Sequence, residues 1–339
     1  MTRKNYFKYL FLNNYLTFSL AGILALAYAV AHAQPMSELA QLLPQRPVLI
    51  VVPNAAGGPS DIAARLLAPR LAEVVKQNFI VDNRASANGV AGADYVAKAT
   101  PNGTFLSVGN TGTHAINGSL YKKPLYDPVR DFTAVAPVMT GGLVLAIFSK
   151  LPAQNFKEFV AYAKAQPGKM NAAIAGATGE IATNAIKMMT GAQMNNIPYK
   201  GGIPAVIAVS AGESHMVLTN PSGVQPQIDS GRLRAIAVTG ARREPTLPNV
   251  PTLTESGLDG LTVDFWTGVF LPSQTPVKIV QAYAREINRI TALPEVKGRL
   301  TGLGYLMMSG TPEEFGAIVK RDAERYRKII LESKMQQLE

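Results

Sequence analysis

From about residue 48 onward the chain alternates between short continuous apolar runs and longer stretches whose apolar positions recur every three or four residues. Residues 48–52 (VLIVV) are β-branched or apolar throughout and bracketed by Pro47 and Pro53, the pattern of a buried strand. Residues 61–76 follow, with Ile62, Leu66, Leu67, Leu71, Val74 and Val75 at helical spacing. Further strand-like runs stand at 79–81, 105–108, 143–148, 216–218, 235–238 and 269–271. Between them several helix starts are legible. Asn155 is placed to cap a helix reaching about Gln166, with Glu158 in the reciprocal position and Gly168 beyond its end. Thr311-Pro312-Glu313-Glu314 forms a second capping box with proline at the first helical position, opening a helix that reaches about Leu331. Strands alternating with helices predict an α/β fold with mainly parallel sheets. No repeat or low-complexity linker divides the chain, so two lobes would be joined by strands that cross between them, leaving the first lobe discontinuous.

The N-terminus has a different pattern. Arg3, Lys4 and Lys8 precede an uncharged stretch from 16 to 31, and Ala31-His32-Ala33 then supplies small residues at a cleavage position. This layout predicts a signal peptide over residues 1–33. The apolar stretch is interrupted by Thr17, Ser19 and Gly22, and no later segment offers about 18 consecutive apolar residues. The expected mature protein is therefore exported and soluble.

Composition removes several chemistries. With no cysteine there is no disulfide, thiolate nucleophile, thiolate zinc site or lipid-modified cysteine. Of three histidines, His32 leaves with the signal, and His114 and His215 remain. Without a Gly-x-Ser-x-Gly elbow either, the sequence predicts neither an enzyme nor a metal or cofactor site. The net charge of +10 drops to +7 once Arg3, Lys4 and Lys8 are gone, and the remaining charges are scattered. They are not interleaved with aromatics, which argues against nucleic acid and leaves a general positive field suited to small anions.

Three polar, glycine-containing loops follow apolar runs. The first, 53–61, carries Asn54, Gly57, Gly58, Ser60 and Asp61, with Pro59 opening a helix. The second, 109–117, carries Asn110, Thr111, Thr113 and His114; the third, 176–180, carries Gly176, Thr178 and Glu180. Glycine allows close approach of a ligand to the backbone, and a helix N-terminus offers free N–H groups to an anion. None of the loops has the spacing of a P-loop or of the dinucleotide fingerprint. In α/β sheets ligands bind outside the strand C-terminal ends, so these loops predict a cleft of neutral donors suited to a carboxylate.

Over residues 47–331 the sequence resembles the substrate-binding proteins of tripartite tricarboxylate transporters, the Bug family. The likeness rests on ordered segments: VVPNAAGGPSDIAARLLAPRLAE, VDNRASANGVAGADYVAKATPNG, THAINGSLYKKPLYDPVRDF, NIPYKGGIPAV, GRLRAIAVTGARREPTLPNVPTLTESG, FWTGVFLPSQTP and LPEVKGRLTGLGYLMMSGTPEEF. It implies a type II periplasmic-binding fold with residues 34–136 and 262–339 in one lobe and 137–261 in the other. It also implies a small carboxylate ligand (a di- or tricarboxylate, an amino acid or an aromatic acid) held by backbone amides, hydroxyls and water. The loops of Gly57-Gly58, Thr111-Thr113-His114 and Thr178 match the family's ligand loops, and Tyr199-Lys200-Gly201-Gly202 matches a loop near the cleft. Permease subunits are the implied partners of a monomeric receptor; a sensor that presents its ligand to a membrane signalling receptor is the alternative. The sequence departs from the family where Glu180 replaces a frequent histidine and Thr219-Asn220 an Asp-Asn pair. Glu180 in the cleft would repel a second carboxylate or pair with a ligand ammonium or amide, pointing to a monocarboxylate or an amino-acid-like ligand; otherwise it is a first-turn helix acid. Trp266, beside the expected returning strand, is either a candidate reporter of closure or a core aromatic.

Overall fold

The computed structural model describes residues 37–332 and 337–339, so the expected signal segment lies outside the described residues. In chain order the strands are β1 (Val48–Val52), β2 (Phe79–Asn83), β3 (Phe105–Asn110), β4 (Phe132–Gly142), β5 (Val144–Phe148) and β6 (Met170–Ile174). They continue with β7 (Met194–Pro198), β8 (Met216–Thr219), β9 (Leu233–Val238), β10 (Asp264–Pro272) and β11 (Leu306–Met307). Two sheets result, ordered β11-β4-β10-β3-β1-β2 and β7-β6-β8-β5-β9, each the centre of one α/β lobe.

β1 shows why the first sheet forms. Its residues are almost wholly enclosed, with Val48, Ile50 and Val52 on one face and Val51 on the other. The first face packs in one cluster with Ala63, Ala64, Leu67 and Leu71 of the helix Pro59–Val75. Val51 joins Ala93 and Val96 of the helix Val90–Ala97 on the opposite side. Each large side chain so buried contributes roughly 1.5–3 kcal/mol.

The sheets are mixed, where the pattern predicts mainly parallel ones. β1 runs parallel to β2 and β3, and β6 to β7 and β8. In contrast β10 is antiparallel to β3 and β4, and β5 to β8 and β9. The cause is the crossing. β4 carries the chain out of the first lobe and β10 brings it back beside it, and neighbours that leave and return must oppose one another. The expected boundary after residue 136 falls inside β4, which stays paired with β10 as far as Gly142 opposite Asp264. The chain therefore changes sheets between Gly142 and Val144, later than expected.

Both capping signals form. Glu314 N–H donates to Thr311 Oγ1 at 3.2 Å while Thr311 N–H donates to Glu314 Oε2 at 2.8 Å, a complete box at the start of the helix Pro312–Glu332. At the helix Phe156–Ala165, Glu158 N–H donates to Asn155 Oδ1 at 2.9 Å. The Glu158 carboxylate there takes the N–H of Gln154, one residue earlier than the reciprocal pattern requires.

Candidate functional site

A cavity of about 80 Å³ lies between the lobes, at the ends of the strands where the helices begin. The N-cap residues of four helices line it: Gly58 of Pro59–Val75, Gly176 of Ala177–Thr190, Gly201 of Gly202–Ser210 and Asn220 of Pro221–Asp229. None of the four is closed by a hydrogen bond from its own cap side chain. Gly176 and Gly201 sit at φ of 132° and 133°, a backbone region closed to ordinary residues, which turns each helix start toward the gap. Each N-terminus presents about half a positive charge, so the four together oppose roughly two negative charges. No residue lining the cavity is charged.

The lobes touch around this cavity. A methyl group placed on Gly112 would lie 3.4 Å from both Ala177 Cβ and Thr178 Oγ1. One placed on Gly201 would lie 3.4 Å from Ala55 Cβ. The two lobes thus approach each other closely beside the cavity.

Nine of the sequence-derived residues line the cavity: Asn54, Gly57, Gly58, Ser60, Asn110, Gly176, Thr178, Thr219 and Asn220. Asn110 ties the first-lobe loops together. Its Nδ2 donates to Asn54 Oδ1 at 2.8 Å, and its Oδ1 accepts the Thr113 N–H at 3.2 Å.

Five others stand outside the lining. Asp61 is buried beneath the loop, where its carboxylate accepts Gly57 N–H at 2.9 Å, Arg65 Nε at 3.0 Å and Asn83 Nδ2 at 3.0 Å. Burial works to raise its pKa, but the bonds from Arg65, Gly57 and Asn83 outweigh it and hold the carboxyl below its ordinary value. Thr111, Thr113 and His114 are turned inward because β3 leads into a wide π-type turn, Gly112–Ile116, packed against β10. Thr111 Oγ1 accepts the Trp266 N–H at 2.8 Å, and Thr113 Oγ1 meets His114 Nδ1 at 2.8 Å. The His114 ring stacks on Phe270 with centroids 3.9 Å apart. Glu180 stands in the first turn of its helix, near Asn88 and Lys187, with burial raising its pKa against their opposing influence. It is not among the residues that line the cavity, although Asn88 beside it is.

Sequence reasoning missed Asn88, Gly112, Ile203, Ser222, Leu143, Leu218 and Phe265, which also line the cavity. Asn88, at φ 53°, had a signal: an Asn-Gly pair marks a left-handed turn. The apolar residues had none, since a run such as 143–148 does not reveal which member faces a gap. Among the described residues no cluster of His, Asp or Glu is placed to hold a metal ion. No described helix is long and apolar enough to cross a membrane.

Two α/β lobes joined by crossing strands, with helix N-termini meeting in the gap, define a type II periplasmic-binding-protein fold. Residues 63–335 match the tripartite tricarboxylate transporter family receptor, and the chain belongs to that family. Among its relatives, BugT of Bordetella pertussis is 32% identical over 304 residues, covering 89% of this chain and 93% of that protein. A protein encoded in the tcbD-tcbE intergenic region of Pseudomonas sp. strain P51 is 33% identical, covering 93% and 94%. Of solved structures, the Rhodopseudomonas palustris protein MatC with bound malate superposes with a TM-score of 0.81 at 30% identity, covering 85% of this chain and all of that one. The R. palustris protein Rpa4515 with adipate gives 0.82 at 31% identity, covering 86% and 98%. The family and these neighbours are solute-binding receptors rather than enzymes.

Proposed function

We propose that this chain is a periplasmic receptor that closes its two lobes on a small aliphatic dicarboxylate and delivers it, as a monomer, to membrane permease subunits. The observation that carries the reading is the convergence of four helix N-termini on a cavity with no charged wall. Such a site compensates anionic charge with fixed dipoles and N–H donors, without a desolvated side-chain cation. Leu143, Ile203, Leu218 and Phe265, which also line the cavity, suit a short methylene chain between polar ends. With Glu180 read as a first-turn helix acid, a second ligand carboxylate meets no like charge in the cavity. Adipate and malate in two structural neighbours support the same ligand class. Export rests on the signal-like residues 1–33, and delivery to a permease on membership of the receptor family.

Thermal unfolding with malate, adipate and their monomethyl esters tests this. A dicarboxylate at about 100 times its dissociation constant adds about 2.7 kcal/mol and raises the Tm, with the esters weaker. Thr178→Ala removes one hydroxyl from the cavity and weakens binding by about 1 kcal/mol. A panel of carboxylates that leaves the Tm unmoved overturns the reading.

A further inference from the structure

The two segments that connect the lobes are tied together at one point. Leu143 N–H donates to Thr239 Oγ1 at 2.8 Å, and Thr239 N–H returns to the Leu143 carbonyl at 2.8 Å. Val263 N–H donates to the Thr239 carbonyl at 3.0 Å, so the outgoing strand, the end of β9 and the start of β10 share one pivot. The crossing is close: a methyl on Gly142 would lie 2.7 Å from Gly240 N and 3.0 Å from Glu244 Oε1.

Glu244 is enclosed at this pivot, only 4% exposed, and its Oε1 accepts the Gly142 N–H at 2.8 Å. Gly142 is the last residue of the first sheet, whereas Glu244 belongs to the segment leaving the second. The carboxyl group therefore spans the joint. Leu143, itself part of the pivot, and Phe265, two residues after Val263, line the cavity, so a shift here moves apolar groups of the site.

Among the described residues, the groups acting on Glu244 include no matching cation. Across the pivot stands the Asp264 carboxylate, and the Tyr305 hydroxyl approaches from the segment before β11. Arg243, the preceding residue, is engaged by Glu255 and the Pro248 carbonyl, and Arg242 is exposed. Asp264 in turn faces Arg325 and Asp322 of the last helix.

Resting on the receptor reading above, we propose that Glu244 is a positioning residue for the cleft: as the neutral acid it holds the lobes closed, and its ionisation loosens the pivot and weakens ligand capture. Burial, opposed by the Gly142 bond and reinforced by Asp264, raises its pKa to about 7. In an opened, hydrated pivot the value returns toward an ordinary one of about 4.3. Closure is therefore favoured on the acid side, and the advantage is lost as pH rises through about 7.

Calorimetric binding of malate and adipate at pH 6, 7 and 8, for the parent and Glu244→Gln, tests this. Both ligands are essentially dianionic across that range. The parent loses up to about tenfold in affinity between pH 6 and 8. Glu244→Gln, which keeps an acceptor for Gly142 but cannot ionise, binds with an affinity that does not change with pH. The same slope in both proteins overturns the proposal, because a purely structural carboxyl would leave it untouched. Small-angle scattering of the unliganded proteins gives a second readout, independent of ligand. A radius of gyration that grows from pH 6 to 8 in the parent alone supports the pivot; no growth, or equal growth in both, overturns it. If neither acid binds at any pH, the dicarboxylate reading fails and the scattering decides the pivot by itself.

Discussion

His114 is fully enclosed, stacked on Phe270 and edge-on to Phe132, with its Nε2 left without a partner. Burial pushes its pKa down to about 3. The imidazole is therefore neutral in the folded protein well below the pH at which an unfolded histidine takes up a proton, near 6.5. The sign follows: this stability is whole above about 6.5 and is lost progressively as pH falls toward 3. Urea unfolding of the parent between pH 7 and 4 should lose up to about 3 kcal/mol more than unfolding of His114→Phe, which has no proton to gain. Equal pH dependence in the two proteins would show that the ring is hydrated. The sequence singled out His114 with Thr111 and Thr113 because a polar loop followed a strand. It carried no sign of the wide turn that rolls all three inward, since that turn depends on packing against Phe270 and Trp266, more than 150 residues away.

At the scale of elements, helix starts were legible because capping is local chemistry. Thr311 and Glu314 exchange their bonds over three residues. Thr311→Ala should cost about 1 kcal/mol, read as a lower urea midpoint with an unchanged denaturant slope. A neutral result would mean that packing of the helix alone holds its start. Strands divided differently. β1 and β5 are continuous apolar runs and were plain. β6 (MNAAI) and β7 (MNNIP) carry asparagines and few β-branched residues, and they are strands because β6 is held between β7 and β8. The four helix starts at the cavity were only half visible. The glycine loops before residues 59 and 177 stood out, while the start at Asn220 came from likeness to a family alone.

At the scale of the whole molecule, Trp266 tests how closure is transmitted. Its ring lies in the first-lobe core, donating from Nε1 to Asp322 at 2.9 Å and packing edge-on against Phe315. Ligand should therefore raise the Tm while leaving the emission maximum in place; a clear spectral shift would mean that closure distorts this core. The sequence by itself determined the alternation of strands and helices, the absence of thiol chemistry, and two glycine-rich helix starts that supply donors to an anion. These depend on contacts within a few residues or on residue types alone. Only the tertiary structure decided the mixed sheets, the switch between Gly142 and Val144, the apolar lining of Leu143 and Phe265, and the burial of Glu244 at the pivot. Each depends on segments roughly 100 residues apart being brought together, as Gly142 is with Glu244 and Asp264, and no local pattern encodes which distant backbone will arrive.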